Sequence, residues 1–267
     1  MSVNTNFTIL QSEVTSLAGI GACVLGGVSA VSSRAVEGFP LGVLWGSRIL
    51  RNDNGSIVFD ENGFPVQDQV EGVIGDPNPD WQAAVSSNFR YKNFSISVLF
   101  ETYQGADIYA GTKSVLRDLG IWEDTANQIT ADRNYLTSEG NVIFIGENFR
   151  GNVEDFGAGP VALTESWYNG RGGFFGGGID EIYVEDGSWS RIRELSLGYL
   201  WNNEWLRNKT KLQSVEFTVT GRNLFLWSEF EGNDPDTNLS GVSAARGIDY
   251  FNNPSTKSYV FNMTLKL

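Results

Sequence analysis

The chain has 267 residues, with 8 Trp, 17 Phe, 9 Tyr and 31 Gly, a mix that favours strands and tight turns over helices. Its 32 Asp plus Glu against 19 Lys plus Arg leave a formal charge of −13, which repels a phosphate backbone and argues against nucleic acid as a partner. Histidine is absent and Cys23 has no partner in the chain, so imidazole-dependent nucleophile pairs, His-bearing zinc sites, thiolate cages and internal disulfides are excluded; no cofactor and no metal are expected.

No stretch reaches the roughly 20 apolar residues of a membrane-spanning helix, because the run from Leu17 to Val31 is broken by Gly and Ser. The N-terminus also lacks the basic region of a secretory signal. Strand candidates begin at Phe7 to Leu17, Val28 to Glu37 and Leu41 to Leu50, the last two joined by the short Gly38-Phe39-Pro40 turn. Trp81, Ala83, Val85, Phe89 and Tyr91 then alternate with polar residues. Lys92 and Asn93 predict a tight hairpin turn into Phe94, Ile96, Val98 and Phe100. The same period of two recurs at Leu195, Leu197, Tyr199 and Trp201, at Val215, Phe217 and Val219, and at Tyr259, Phe261, Met263, Leu265 and Leu267.

About eight strands result, each with one apolar and one polar face. Short connections alternate with long ones at Arg51 to Asp80, Ala106 to Ser190 and Ser228 to Lys257. Short turns at one rim and long loops at the other predict an all-β fold, an antiparallel transmembrane β-barrel segment in the cell outer membrane. Trp81, Tyr91, Trp201 and Trp227 fit interfacial girdles in contact with outer-membrane lipid. Two alternatives share the alternation: a soluble β-sandwich serving as a carbohydrate-binding or interaction module, and a small self-contained outer-membrane barrel.

Several segments resemble the SusC/RagA family of TonB-linked outer-membrane proteins. They are Gly38-Phe39-Pro40-Leu41-Gly42 with Trp45-Gly46, Val73 to Pro79, Tyr91-Lys92-Asn93-Phe94, and Gln104 to Tyr109. Near the end, Arg191 to Tyr199, Thr220 to Trp227 and Gly232-Asn233-Asp234-Pro235-Asp236 follow in the family's order. The resemblance implies the C-terminal part of a plugged barrel that imports oligosaccharides or peptides, with no enzymatic activity. It further implies a SusD-like surface lipoprotein as partner, and a TonB complex engaged through an N-terminal plug-bearing part that this sequence lacks.

Asp53-Asn54-Gly55 and Asp60-Glu61-Asn62-Gly63 have the oxygen-rich look of calcium loops but fit ordinary turns better. Gly172 to Gly178 lacks the Lys-Ser/Thr of a phosphate loop and predicts a flexible outer loop. Asp180, Glu181, Glu185 and Asp186 could supply a carboxylate pair for glycoside cleavage, or be an acidic surface. In the longest connection, Trp122, Trp167, Tyr168, Phe174, Phe175 and Trp189 are candidate contacts for a glycan or peptide ligand or a partner protein; the competing role is packing the loop onto itself.

Overall fold

The structure, a computed structural model, describes residues 1–28, 30–241 and 245–267. Six strands form one antiparallel wall in chain order: β1 (Ser2–Thr8), β2 (Trp81–Tyr91), β3 (Phe94–Gln104), β4 (Trp189–Trp201), β5 (Ser214–Ser228) and β6 (Ser258–Lys266). The alternation of side chains fixes its register. One apolar row runs Phe89, Ile96, Leu197, Val219, Phe261, and the adjacent row on the opposite face runs Ser2, Asn88, Ser97, Ser196, Thr220, Val260. Lys92 and Asn93 make the expected hairpin turn, Lys92 taking a positive φ of 51°.

The apolar face is uncovered. Phe261 is 77% and Phe94 60% exposed. Aromatic rings gather at both ends of this face, Phe94 against Tyr199 at the turn rim and Phe7 against Trp81, with Phe225 against Trp227, at the loop rim. The 11 residues of β2 carry Trp81 at one rim and Tyr91 at the other. At about 3.3 Å per residue and a tilt of about 40°, that strand spans roughly 25 Å, the height of the apolar band of an outer-membrane barrel.

Two expectations change. The wall has six strands, and the segment Phe7 to Leu17 is strand only as far as Thr8: beyond it the chain runs irregularly, with Val14 exchanging backbone hydrogen bonds with Gly38 and Phe39. Val28 to Glu37 and Leu41 to Leu50 contribute only Ser32–Val36 and Val43–Gly46, which join Ala22–Gly27 and Gly72–Gly75 in a separate four-stranded sheet. These segments are apolar because they are core, not wall: Val31 and Leu44 pack with Tyr109, Tyr183 and Ile248.

The long connections are folded. Counting the first connection from the end of β1, residues 9–80, all four buried apolar clusters among the described residues lie in the connections, including Phe64, Val161, Leu163, Trp167 and Tyr168, and Ala131, Tyr135, Phe149 and Ala162. The second connection carries helix α1 (Gly111–Asp118), a 3-10 turn at Glu123–Ala126, and the short helix α2 (Glu165–Tyr168). Between β4 and β5, helix α3 (Glu204–Thr210) is capped by Asn203, whose side chain accepts from the Leu206 N–H at 3.0 Å. In the Gly172 to Gly178 run the two ends are packed, with Gly172, Gly173 and Gly178 buried, while Phe175 to Gly177 are exposed. A Cβ at Gly172 would meet the Trp167 indole, and one at Gly173 the Tyr168 carbonyl oxygen.

Candidate functional site

The polar face of the wall is joined to the connections by buried charge. Arg191, 2% exposed, pairs through Nη2 with Asp234 at 2.6 Å, and its guanidinium carbon sits 4.4 Å over the Trp189 ring, which stacks on Tyr103. Arg193, the bulge residue of β4, reaches Glu101 at 2.7 Å and Asp236 at 3.1 Å. Burial alone would raise the Asp234 carboxyl, but the Arg191 guanidinium, the Ser255 hydroxyl and the Asp236 N–H more than offset it and hold the group below the usual carboxylate range. A second joint lies beside it. The Asp76 and Asp107 backbones are tied, Asp76 N–H donating to the Asp107 carboxylate at 2.7 Å and Asp107 N–H to the Asp76 carbonyl at 2.8 Å.

A cleft of about 960 Å³ is lined mostly by the connection between β3 and β4, with Ile49 from the first connection and Glu229 and Glu231 from the last. Lys113 of α1, 7% exposed, bridges Glu185 at 2.6 Å and Glu231 at 2.5 Å. Its hydrogen bond to Glu231 lowers the pKa of that carboxyl. Arg117, one helical turn further along, pairs with Asp124 and lies within 6 Å of the Tyr168 and Tyr183 rings. Burial pushes the Tyr183 hydroxyl up to about 12, and it donates to the Gly172 carbonyl. Trp122, half-buried, stands at the wall of the cleft.

Of the six candidate aromatics, Trp167, Tyr168 and Trp189 are buried, at 2%, 3% and 6% exposure, and take the packing role. Trp122 faces the cleft, while Phe174 and Phe175 lie apart from it, edge to face with each other and with Phe174 tilted against Tyr250. The four carboxylates considered for glycoside cleavage are all engaged. Asp180 accepts from Ser47 N–H and Oγ, Glu181 pairs with Arg51, Glu185 with Lys113, and Asp186 accepts from Ser188 N–H. The Asp60 turn closes on itself, its carboxylate accepting from the Asn62 and Phe64 N–H groups and pairing with Arg171. Lys113, Asp124, Glu154, Glu229 and Glu231 carried no sequence signal, since nothing in their spacing marks residues that only the fold brings together.

No protein-family model matches the chain. The TonB-dependent receptor P3 of Formosa agariphila is 30% identical over 199 residues, 73% of this chain. The chain belongs to the TonB-dependent receptor family. SusC of Bacteroides thetaiotaomicron, also a TonB-dependent receptor, is 24% identical over 79% of this chain. This TonB-dependent receptor chain spans 17% and 18% of the length of those two relatives. A solved structure of the RagAB peptide transporter has the same fold, with a TM-score of 0.60 at 16% identity over 98% of this chain and 27% of that one.

Proposed function

We propose that the chain is the C-terminal part of a plugged outer-membrane barrel that imports an oligosaccharide or a peptide, energised through TonB. The observation that carries this is the six-stranded antiparallel wall, whose uncovered apolar face opposes a polar, ion-paired one. Lipid accepts the first face, and a water-filled or plugged lumen the second. A soluble sandwich would need a second sheet over the apolar face, and among the described residues none lies there. The three folded connections would stand outside the cell, where a SusD-like lipoprotein could cap them, and the Lys92-Asn93 turn would face the periplasm.

Membrane topology and uptake test this together. With Cys23 replaced by Ser, a cysteine at Ile145, exposed in the second connection, should react with a membrane-impermeant maleimide on intact cells, and one at Asn93 only after lysis. Loss of the gene should abolish growth on a particular glycan or peptide source, as should loss of TonB. Labelling of both cysteines on intact cells, or of neither, would sink the orientation, and unchanged growth across such sources would sink the import role.

A further inference from the structure

We propose that the turn rim of the wall binds the headgroups of an anionic phospholipid, seated where helix α3 folds against the end of the apolar face. The assignment rests on the proposed membrane placement of the wall, since only a wall in lipid brings that rim to a headgroup layer.

Charge is divided between the two rims. The long connections, residues 9–80, 105–188 and 229–257, hold 28 of the 32 acidic residues. At the opposite rim, the turn at 92–93 and the connection at 202–213 hold four cations, Lys92, Arg207, Lys209 and Lys211, against one carboxylate, Glu204. A chain of formal charge −13 therefore carries +3 there. All four cations are exposed, and the side chains of Arg207, Lys209 and Lys211 have neither an ion pair nor a hydrogen bond among the described residues. Clustered and unpaired, they set up a positive potential that an anionic lipid surface relieves.

A second observation, independent of charge, places three of these cations at the edge of the apolar face. Trp201 belongs to that face, two residues beyond Tyr199 on β4 and opposite Val215 on β5. Trp205 of α3 stacks on it, with ring centroids 5.7 Å apart and planes 13° from parallel. Leu206 is buried, and so is Val215, whereas Phe217 and Val219 further along the same face are exposed. The helix thus lies on the outer side of the wall at its turn rim. Trp205 remains 57% exposed there, next to Arg207, Lys209 and the helix-ending Lys211. An indole and cations bordering an apolar band are the groups that settle at headgroup depth, the ring among the carbonyl-rich layer and the cations on phosphate. A zwitterionic headgroup carries its own ammonium and cancels most of that attraction, so the site selects an anionic one.

The test is electron spin resonance on the full chain reconstituted in phosphatidylcholine vesicles, with phosphatidylglycerol and phosphatidylcholine probes spin-labelled at mid-chain. The motionally restricted part of each spectrum measures the lipid held against the wall. At low salt, phosphatidylglycerol should be enriched in that shell at least about twofold over phosphatidylcholine. The enrichment should fall at about 1 M salt, where the screening length drops to about 3 Å. The triple variant Arg207→Gln, Lys209→Gln, Lys211→Asn should abolish the enrichment and leave the restricted phosphatidylcholine signal unchanged, which shows that the wall is still inserted. Asparagine is the replacement at 211 because that residue takes a positive φ of 64°. Equal restriction of the two lipids, or an enrichment that survives the triple variant, overturns the proposal. Restricted phosphatidylcholine without enrichment leaves the wall in lipid and the import function standing. No restricted signal from either lipid takes the wall out of the bilayer and removes the import function together with the headgroup site.

Discussion

Arg191 and Asp234 are 43 residues apart in sequence and share one buried ion pair, with side chains 2% and 1% exposed. Each sits in a separate family-like segment, Arg191 at the head of a strand and Asp234 in the Gly232-Asn233-Asp234-Pro235-Asp236 loop, so the two segments are halves of one contact. Removing one partner strands a buried charge, and Arg191→Met should cost about 3–5 kcal/mol of stability by urea unfolding in micelles. The double change Arg191→Met, Asp234→Leu should recover much of that, because no charge is then left uncompensated. Asp234 is held below its ordinary value, so its contribution is complete above the unfolded value of about 3.9 and is lost as pH falls through the lower folded one. Protease sensitivity of residues 229–257 should therefore rise between about pH 4 and pH 2, and Asp234→Asn should be sensitive across the whole range. The glycines of the second connection follow steric logic instead. Gly173→Ala drives a methyl into the Tyr168 carbonyl oxygen and should destabilise the fold by several kcal/mol in the same assay, about the cost of an overpacked core.

The strands are the elements that the sequence displays most plainly, because a wall with one apolar and one polar face must alternate at every step. The Phe94, Ile96, Val98, Phe100 series and the last ten residues predict β3 and β6 nearly to their ends. The same logic misplaces the segments before residue 50, where the apolar residues belong to a compact core and a period of two has no wall to report on. Adjacent residues on β3 give the test at this scale. Val98 lies in the middle of the apolar face and Ser97 on the polar one, opposite Ser196. Val98→Arg should cost about 2–4 kcal/mol in lipid vesicles, the penalty for a cation near the bilayer midplane, whereas Ser97→Arg should cost far less. Equal costs at the two positions would mean that the faces are not differently solvated.

At the scale of the whole molecule, the wall was legible and the cleft was not. Its lining comes from positions between Ile49 and Glu231, so no local pattern of charge announces it, and the aromatic-rich stretch that did draw attention proved half core. The resemblance of separate segments supplied what periodicity could not, the family. Within the sheet, β1 and β6 each have one neighbour, so each presents a row of N–H and C=O groups on its outer side. In hydrocarbon such groups cost several kcal/mol apiece unless another strand receives them. As the C-terminal part of a larger barrel, the chain would pair both outer strands with the remaining wall. Produced alone in micelles, it should accordingly associate through these strands and run as oligomers by light scattering. Supplied together with the further strands that the proposed larger barrel requires, it should run as a single species whose gel mobility changes on heating. A monomeric, heat-modifiable product from the 267 residues alone would instead identify β1 and β6 as each other's partners and make the chain a small closed barrel.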